Sequence, residues 1–194
     1  MLIDKTLAEY TNLLASDTPT PGGGSSLALV GLNATCLVMM AANVTITKLA
    51  KKGTTCQPLV DALSMLDPIK QEFATLVDKD AQAFQQILGA MKMPKTTCEE
   101  ITARKQALQQ TYVYSANVSL DIISNATKCF ALADQVIEYA DQFVVSDAHI
   151  GKALSKTVAT LNVHNVDVNV DCITDQQIKD QLNKQKVDLL EKIS

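Results

Sequence analysis

Three consecutive glycines stand behind two prolines in TPTPGGGSS (18–26). The prolines hold the chain extended, the glycines free it, and Ser25 or Ser26 is placed to cap a helix that follows. Such a turn leaves the backbone N–H groups of Gly22, Gly23 and Gly24 open to an approaching anion or carbonyl. A plain linker is also glycine-rich, but it needs no prolines in front and does not open a long apolar segment. No lysine or spaced third glycine follows, so neither nucleotide-phosphate pattern is met.

Two acids stand in LVDKDAQAF (76–84). Asp78 and Asp80 diverge by about 200° on a helix, so they do not form one carboxylate pair, but either one serves as a general acid or base if it faces a cleft. Asp147 and His149 supply an acid and an imidazole at a predicted helix start, in VVSDAH (144–149). Asn162, Asn165 and Asn169 share one predicted helix face. They form either a polar seam or a set of amides suited to hydrogen-bonding a heterocycle. His149 and His164 are the only histidines, and neither has a partner at metal-ligand spacing, so no metal is expected. A Cys–His nucleophilic pair stays open as an alternative, though nothing marks any of the five cysteines above the others.

Helices must position these groups. Leu2, Ile3, Leu7, Tyr10, Leu13 and Leu14 recur at helical spacing and open the chain with an amphipathic helix. Thr18 to Thr47 contains no charged residue, and a helix is expected from the serines to about Lys52, with Leu27 to Val44 the least exposed helix of the chain. The apolar series from Leu59 to Leu88 predicts a long helix to about Met91, bent at Pro68. Thr97 and Glu100 have capping-box spacing ahead of one or two long helices from Ile101 to about Ala140. A further helix is expected from Ser146 or Asp147 to about Asp171, and a last one follows a cap at Thr174. Val163 to Val170 alternates apolar and polar residues, a pattern a strand also satisfies. The reading is all-α: one domain over residues 1–194, built of six or seven long packed helices.

Composition removes several function classes. The formal net charge is −4 and there is no tryptophan, so the chain offers neither the basic surface nor the stacking platforms that nucleic acid requires. Scattered cysteines give no disulfide framework and fit a reducing, cytoplasmic setting. Asn33, Thr35 and Asn43 interrupt the uncharged segment, which favours a buried helix over a membrane span.

TPTPGGGSS and its small-residue helix, LVDKDAQAF, MPKTTCEE (93–100), VVSD and the Asn165–Asn169 pair occur in that order. The set resembles the cyclodeaminase half of formiminotransferase-cyclodeaminase and its stand-alone bacterial relatives, which include methenyltetrahydrofolate cyclohydrolases. The resemblance spans nearly the whole chain. It implies an all-helical homodimer that binds reduced folate, with or without a polyglutamate tail. The implied activity is conversion of 5-formiminotetrahydrofolate to 5,10-methenyltetrahydrofolate with release of ammonia. Hydrolysis of the methenyl form to 10-formyltetrahydrofolate is the alternative within the family, and a non-catalytic folate-binding or helical interaction protein is the alternative outside it. No cofactor beyond the folate is implied. Asp147, Asp78 and Asp80 would supply the acid or base. Gly22, Gly23, Gly24, Ser25, Asn165 and Asn169 would meet the pterin in one cleft with Asp147, completed across a subunit interface. Lys51 and Lys52, with Lys48, would meet the glutamate carboxylates.

Overall fold

Helix α1 spans Leu7–Leu14, α2 Gly23–Ala50, α3 Gln57–Met91, α4 Cys98–Tyr139, α5 Val145–Leu161, α6 Val163–Asp171 and α7 Gln176–Leu190, before a 3-10 turn at Glu191–Ile193. The computed structural model describes residues 1–193, and no strand occurs among them. Two of the starts follow their local chemistry closely. Thr6 with Glu9, and Thr97 with Glu100, form reciprocal capping boxes. The last helix starts one residue later than expected, because the Asp175 carboxylate accepts the N–H groups of Gln177 and Ile178 and takes the cap from Thr174.

α2, α3, α4 and α5 form the body of the molecule. Phe73, Leu59, Leu66, Leu76, Ile122 and Ile123 are its largest fully buried side chains, and truncating any one of them to alanine would cost about 2–5 kcal/mol. α3 and α4 run antiparallel. The Gln135 amide donates to the Pro58 carbonyl near one end, and the Arg104 guanidinium donates to the Met91 carbonyl at the other.

Two sequence expectations change. The segment after Ser146 is two helices, since the chain turns at Asn162, whose amide is buried and donates to the Ser119 carbonyl at 2.7 Å. The alternating stretch is therefore helix α6: Val166 and Val170 face the core, Val168 faces out, and the alternation carries no strand. Secondly, α2 is covered on one face only. Ala28, Ala34, Val38, Ala41 and Ala42 are fully buried, but only 39% of its most apolar stretch is buried and Val44 is 41% exposed. It is the one helix among the described residues long and apolar enough to cross a membrane.

Candidate active site

A cleft of about 430 Å³ opens where the N-terminus of α2 meets α3, α4 and α6. Gly22, Gly23 and Gly24 form one wall, Asp80, Phe84, Ile87 and Met91 of α3 a second, Tyr112, Ser115 and Ser119 of α4 a third, and Asn165, Asn169 and Cys172 of the α6 region a fourth. The sets from α3, α4 and the α6 region recur every three or four residues, so each is one stripe of its helix, while the glycines are the consecutive residues of the turn that opens α2. The volume suits a small organic ligand.

Asp80 and the glycine turn are built together. Gly22 is the N-cap of α2 and offers no side chain. The carboxylate of Asp80 substitutes for it from α3, accepting the Ser25 backbone N–H. The fit is tight: a Cβ on Gly24 would lie 2.1 Å from Asp80 Oδ1 and 2.6 Å from its Cγ. Glycine is required at that position by the approach of Asp80 and not by backbone conformation, since none of the three glycines has a positive φ. At Gly22 and Gly23 a Cβ would meet open space. Burial pushes the Asp80 carboxyl above the ordinary carboxylate range, partly opposed by the Ser25 N–H. A carboxyl that holds its proton more firmly than usual against an apolar wall, with the helix N-terminus ready to stabilise its anion, suits proton transfer.

The stripe on α6 presents amides. Asn165 Nδ2 donates to Asn162 Oδ1 at 2.8 Å, and Asn169 Nδ2 donates to the Asn165 carbonyl at 2.7 Å. These bonds fix the two amides along the helix, and the side-chain oxygens of Asn165 and Asn169 have no donor among the described residues. Tyr112 stands beside the Cys172 thiol, and burial raises its hydroxyl's pKa, with Cys172 adding to the effect. Phe84, Tyr112 and Met91 make the outer part of the cleft aromatic and apolar, while Asp80, Ser115 and Asn165 make the inner part polar.

Several expected site residues lie elsewhere. Asp78 points to the opposite side of α3, as the angular argument requires, and its carboxylate accepts the backbone N–H groups of Leu2 at 2.6 Å and Ile3 at 3.3 Å. It is a tether for the N-terminal segment. The Ser25 hydroxyl is fully buried and donates to the Val77 carbonyl at 2.7 Å, locking α2 to α3 instead of facing a ligand. Asp147 is separated from the cleft. Asp141 N donates to Thr45 and Gly151 packs on the Ala34 carbonyl and Val38, so α5 runs antiparallel to α2. That register puts Asp147 level with Met39 or Met40, about 20 Å or more along α2 from Gly24. Lys51 and Lys52 lie farther still, about 40 Å from the glycine turn at the other end of α2. There Lys48 pairs with Asp141 and lies over the Phe143 ring. Within one protomer the common cleft therefore unites the glycines, Asp80, Asn165 and Asn169, and excludes Asp147 and both lysines. Among the described residues no three His, Cys, Asp or Glu side chains gather to hold a metal ion.

Phe84, Tyr112, Ser115 and Ser119 were not foreseen as site residues. Periodicity assigned Phe84 to the core, and the others lay in a helix whose inward face could not be told from sequence alone.

The formiminotransferase-cyclodeaminase family model matches residues 6–188. The chain belongs to this family. Methenyltetrahydrofolate cyclohydrolase of Methylorubrum extorquens is 30% identical over 96% of this chain and 89% of its own length. Formimidoyltransferase-cyclodeaminase of Gallus gallus is 25% identical over 98% of this chain, which spans 35% of that longer protein. A solved formiminotetrahydrofolate cyclodeaminase from Thermotoga maritima superposes with a TM-score of 0.83 at 21% identity, covering 100% of this chain and 92% of that one. As a member of the family, the chain shares its all-helical fold.

Proposed function

We propose that this chain acts on the one-carbon unit bridging N5 and N10 of tetrahydrofolate, with Asp80 as its acid–base group. Two family reactions share this carbon. In the hydrolase direction water adds to the methenyl carbon, a base takes the proton of the water, and N5 leaves to give 10-formyltetrahydrofolate. In the cyclodeaminase direction N10 attacks the formimino carbon, and the departing nitrogen takes up protons to leave as ammonia. Both need a carboxyl that accepts and returns a proton at one place.

One observation carries the reading: Asp80, packed on Gly24 and facing the Ser25 backbone N–H, is the carboxyl that lines the cleft, and burial raises its pKa. The anionic form would face the cationic methenyl group at short range, which stabilises it. Asn165 and Asn169 would hydrogen-bond the pterin, and Phe84 and Tyr112 would flank the aminobenzoyl ring. The cyclohydrolase reaction is placed first, because that relative matches over nearly its full length. The cyclodeaminase reaction is the second reading, favoured by the names of the vertebrate relatives. An absorbance assay of methenyltetrahydrofolate loss, and of its formation from 5-formiminotetrahydrofolate, separates them. Activity in neither direction, by protein that binds folate, would leave a non-catalytic folate-binding protein.

The reading includes a homodimer. Asn33, Cys36, Asn43 and Val44 lie exposed on the uncharged run of α2, and a second copy covering that face would bury what one protomer leaves open. Light scattering at micromolar concentration tests this, and a monomer mass would reject it.

A further inference from the structure

Among the described residues, buried serine and threonine hydroxyls follow a rule with one exception. Ser25, Thr35, Thr45, Ser119, Thr127 and Ser155 are all buried, and each donates to a backbone carbonyl. Ser115 is buried as well, 6% exposed, and its hydroxyl has no hydrogen-bond partner among the described residues. The exception is not a matter of helix environment. On the same helix Thr102, Thr111, Ser119 and Thr127 all bond back to carbonyls one turn earlier, the usual outlet for a helical hydroxyl. Ser115 offers its carbonyl to Ser119 but keeps its own Oγ free.

A buried hydroxyl without a partner costs about as much as a lost hydrogen bond, so its direction matters. No fully enclosed polar side-chain atom lacks a partner among the described residues. The Ser115 Oγ therefore keeps an open side, and Ser115 lines the glycine-turn cleft. Its height in the cleft follows from the helix registers. With Pro58 opposite Gln135 and Met91 opposite Arg104, interpolation along α3 and α4 sets Asp80 level with Ser115. With Asn162 on the Ser119 carbonyl and Gln109 on the Cys172 carbonyl, α6 runs antiparallel to α4 and brings Asn165 to the same level. Gly24 is already there, against Asp80. Four elements thus place a carboxyl, a free hydroxyl, an amide oxygen and open backbone in one layer of the cleft.

We propose that the Ser115 hydroxyl is a substrate-contacting group, held level with Asp80 to hydrogen-bond the polar edge of a reduced pterin beside the reacting carbon. The inference rests on the folate reading above and adds a residue to it. A hydroxyl both donates and accepts, so it matches either a ring N–H or a ring acceptor, whereas the amide oxygens of Asn165 and Asn169 accept only. The helix fixes its position, and its missing partner is the ligand.

The test is titration with 5-formyltetrahydrofolate, a stable folate probe, followed by intrinsic tyrosine fluorescence or calorimetry, on wild type, Ser115→Ala and Ser115→Thr. Ser115→Ala should weaken binding about tenfold or more, the cost of leaving a ligand polar group unpaired. Its melting temperature should stay at or slightly above the wild-type value, because no protein hydrogen bond is lost. Ser115→Thr keeps the hydroxyl and should recover part of the affinity. Unchanged affinity in Ser115→Ala would overturn the inference, as would a lowered melting temperature with unchanged affinity, which would make the hydroxyl structural. Failure of the wild type to bind the probe would sink the folate reading and this inference together. Binding by the wild type with an unaltered alanine variant would sink the inference alone.

Discussion

Replacing Gly24 by alanine adds one methyl group and sets two effects against each other. The new Cβ would lie 2.1, 2.6 and 2.9 Å from Asp80 Oδ1, Cγ and Oδ2. All three contacts are to the end of one side chain, so α2 and α3 can keep their places while the carboxyl retreats by roughly 1 Å or more toward ordinary contact. In retreating it gives up the Ser25 N–H. Loss of a helix cap costs about 1 kcal/mol, and glycine to alanine within a helix returns about 0.5–1 kcal/mol. Stability should therefore change by less than about 1 kcal/mol, a shift of no more than about 4 °C in melting temperature for a chain of this size.

Activity should not be spared in the same way. A displacement of about 1 Å at a proton-transfer group lowers turnover by about a hundredfold, so Gly24→Ala should fold, melt near wild type and lose about two orders of magnitude in kcat/KM. The assay is methenyltetrahydrofolate loss by absorbance, beside a thermal melt of each variant. Gly23→Ala is the matched comparison, because its Cβ meets no protein atom within 4 Å, and it should melt no lower than wild type. Wild-type turnover in Gly24→Ala would refute the placement of Asp80 at the reacting carbon. A fall in melting temperature beyond about 10 °C would instead show that the clash is relieved through the backbone.

Asp80→Asn should lower turnover by about a hundredfold or more while leaving folate affinity within a few fold; equal rates would remove Asp80 from the mechanism. In the wild type, kcat/KM for the hydrolase direction should rise with pH through a midpoint above the usual carboxylate range, because burial holds the Asp80 proton. The same shift has a stability sign. A folded-state pKa above the unfolded value contributes stability that is full below about pH 4 and is lost as pH rises through the folded value. The Asn variant should then melt at or above wild type at neutral pH, and an advantage that persists in acid would contradict the assignment. Asp78→Ala removes the acceptor of the Leu2 and Ile3 N–H groups and should cost roughly 2–3 kcal/mol, read as a lower denaturation midpoint with Asp80 still in place; an unchanged midpoint would show the tether idle. Asp147→Asn should keep turnover within a few fold, since Asp147 lies outside its own protomer's cleft; a hundredfold loss would mean that a second subunit brings it there.

The helical fold was legible because the information for it is local. Capping boxes at Thr6 and Thr97 and apolar series every three or four residues name their own secondary structure. What misled was equally local. Val163 to Val170 alternates like a strand, but Asn162 caps back onto α4 and the helix places only Val166 and Val170 inward. The uncharged run of α2 implied a buried helix, and the protomer covers one of its faces and leaves the other open. A sequence reports that a surface must be covered without reporting by which copy.

The site was partly legible for the same reason. Types and spacing brought forward the glycine turn, Asp80, Asn165 and Asn169, and these meet in the cleft. They could not separate Asp80 from Asp78: the 200° divergence says that one faces away, and only packing decides which. Asp147 and Lys51 stand apart from their own protomer's cleft for a matter of length, since α2 carries the chain about 40 Å from the glycine turn to Lys51 and α4 returns it to that same far end, where α5 begins. Ser115 was the least visible residue, because its significance lies in a bond it does not make. Six other buried hydroxyls close onto carbonyls, and nothing in their neighbours' identities distinguishes Ser115 from them. A hydroxyl without a protein partner is recognised only against partnered ones in the same structure, and that contrast makes the inner layer of the cleft, Asp80 with Ser115 and Asn165, the place where a polar ligand has most to gain.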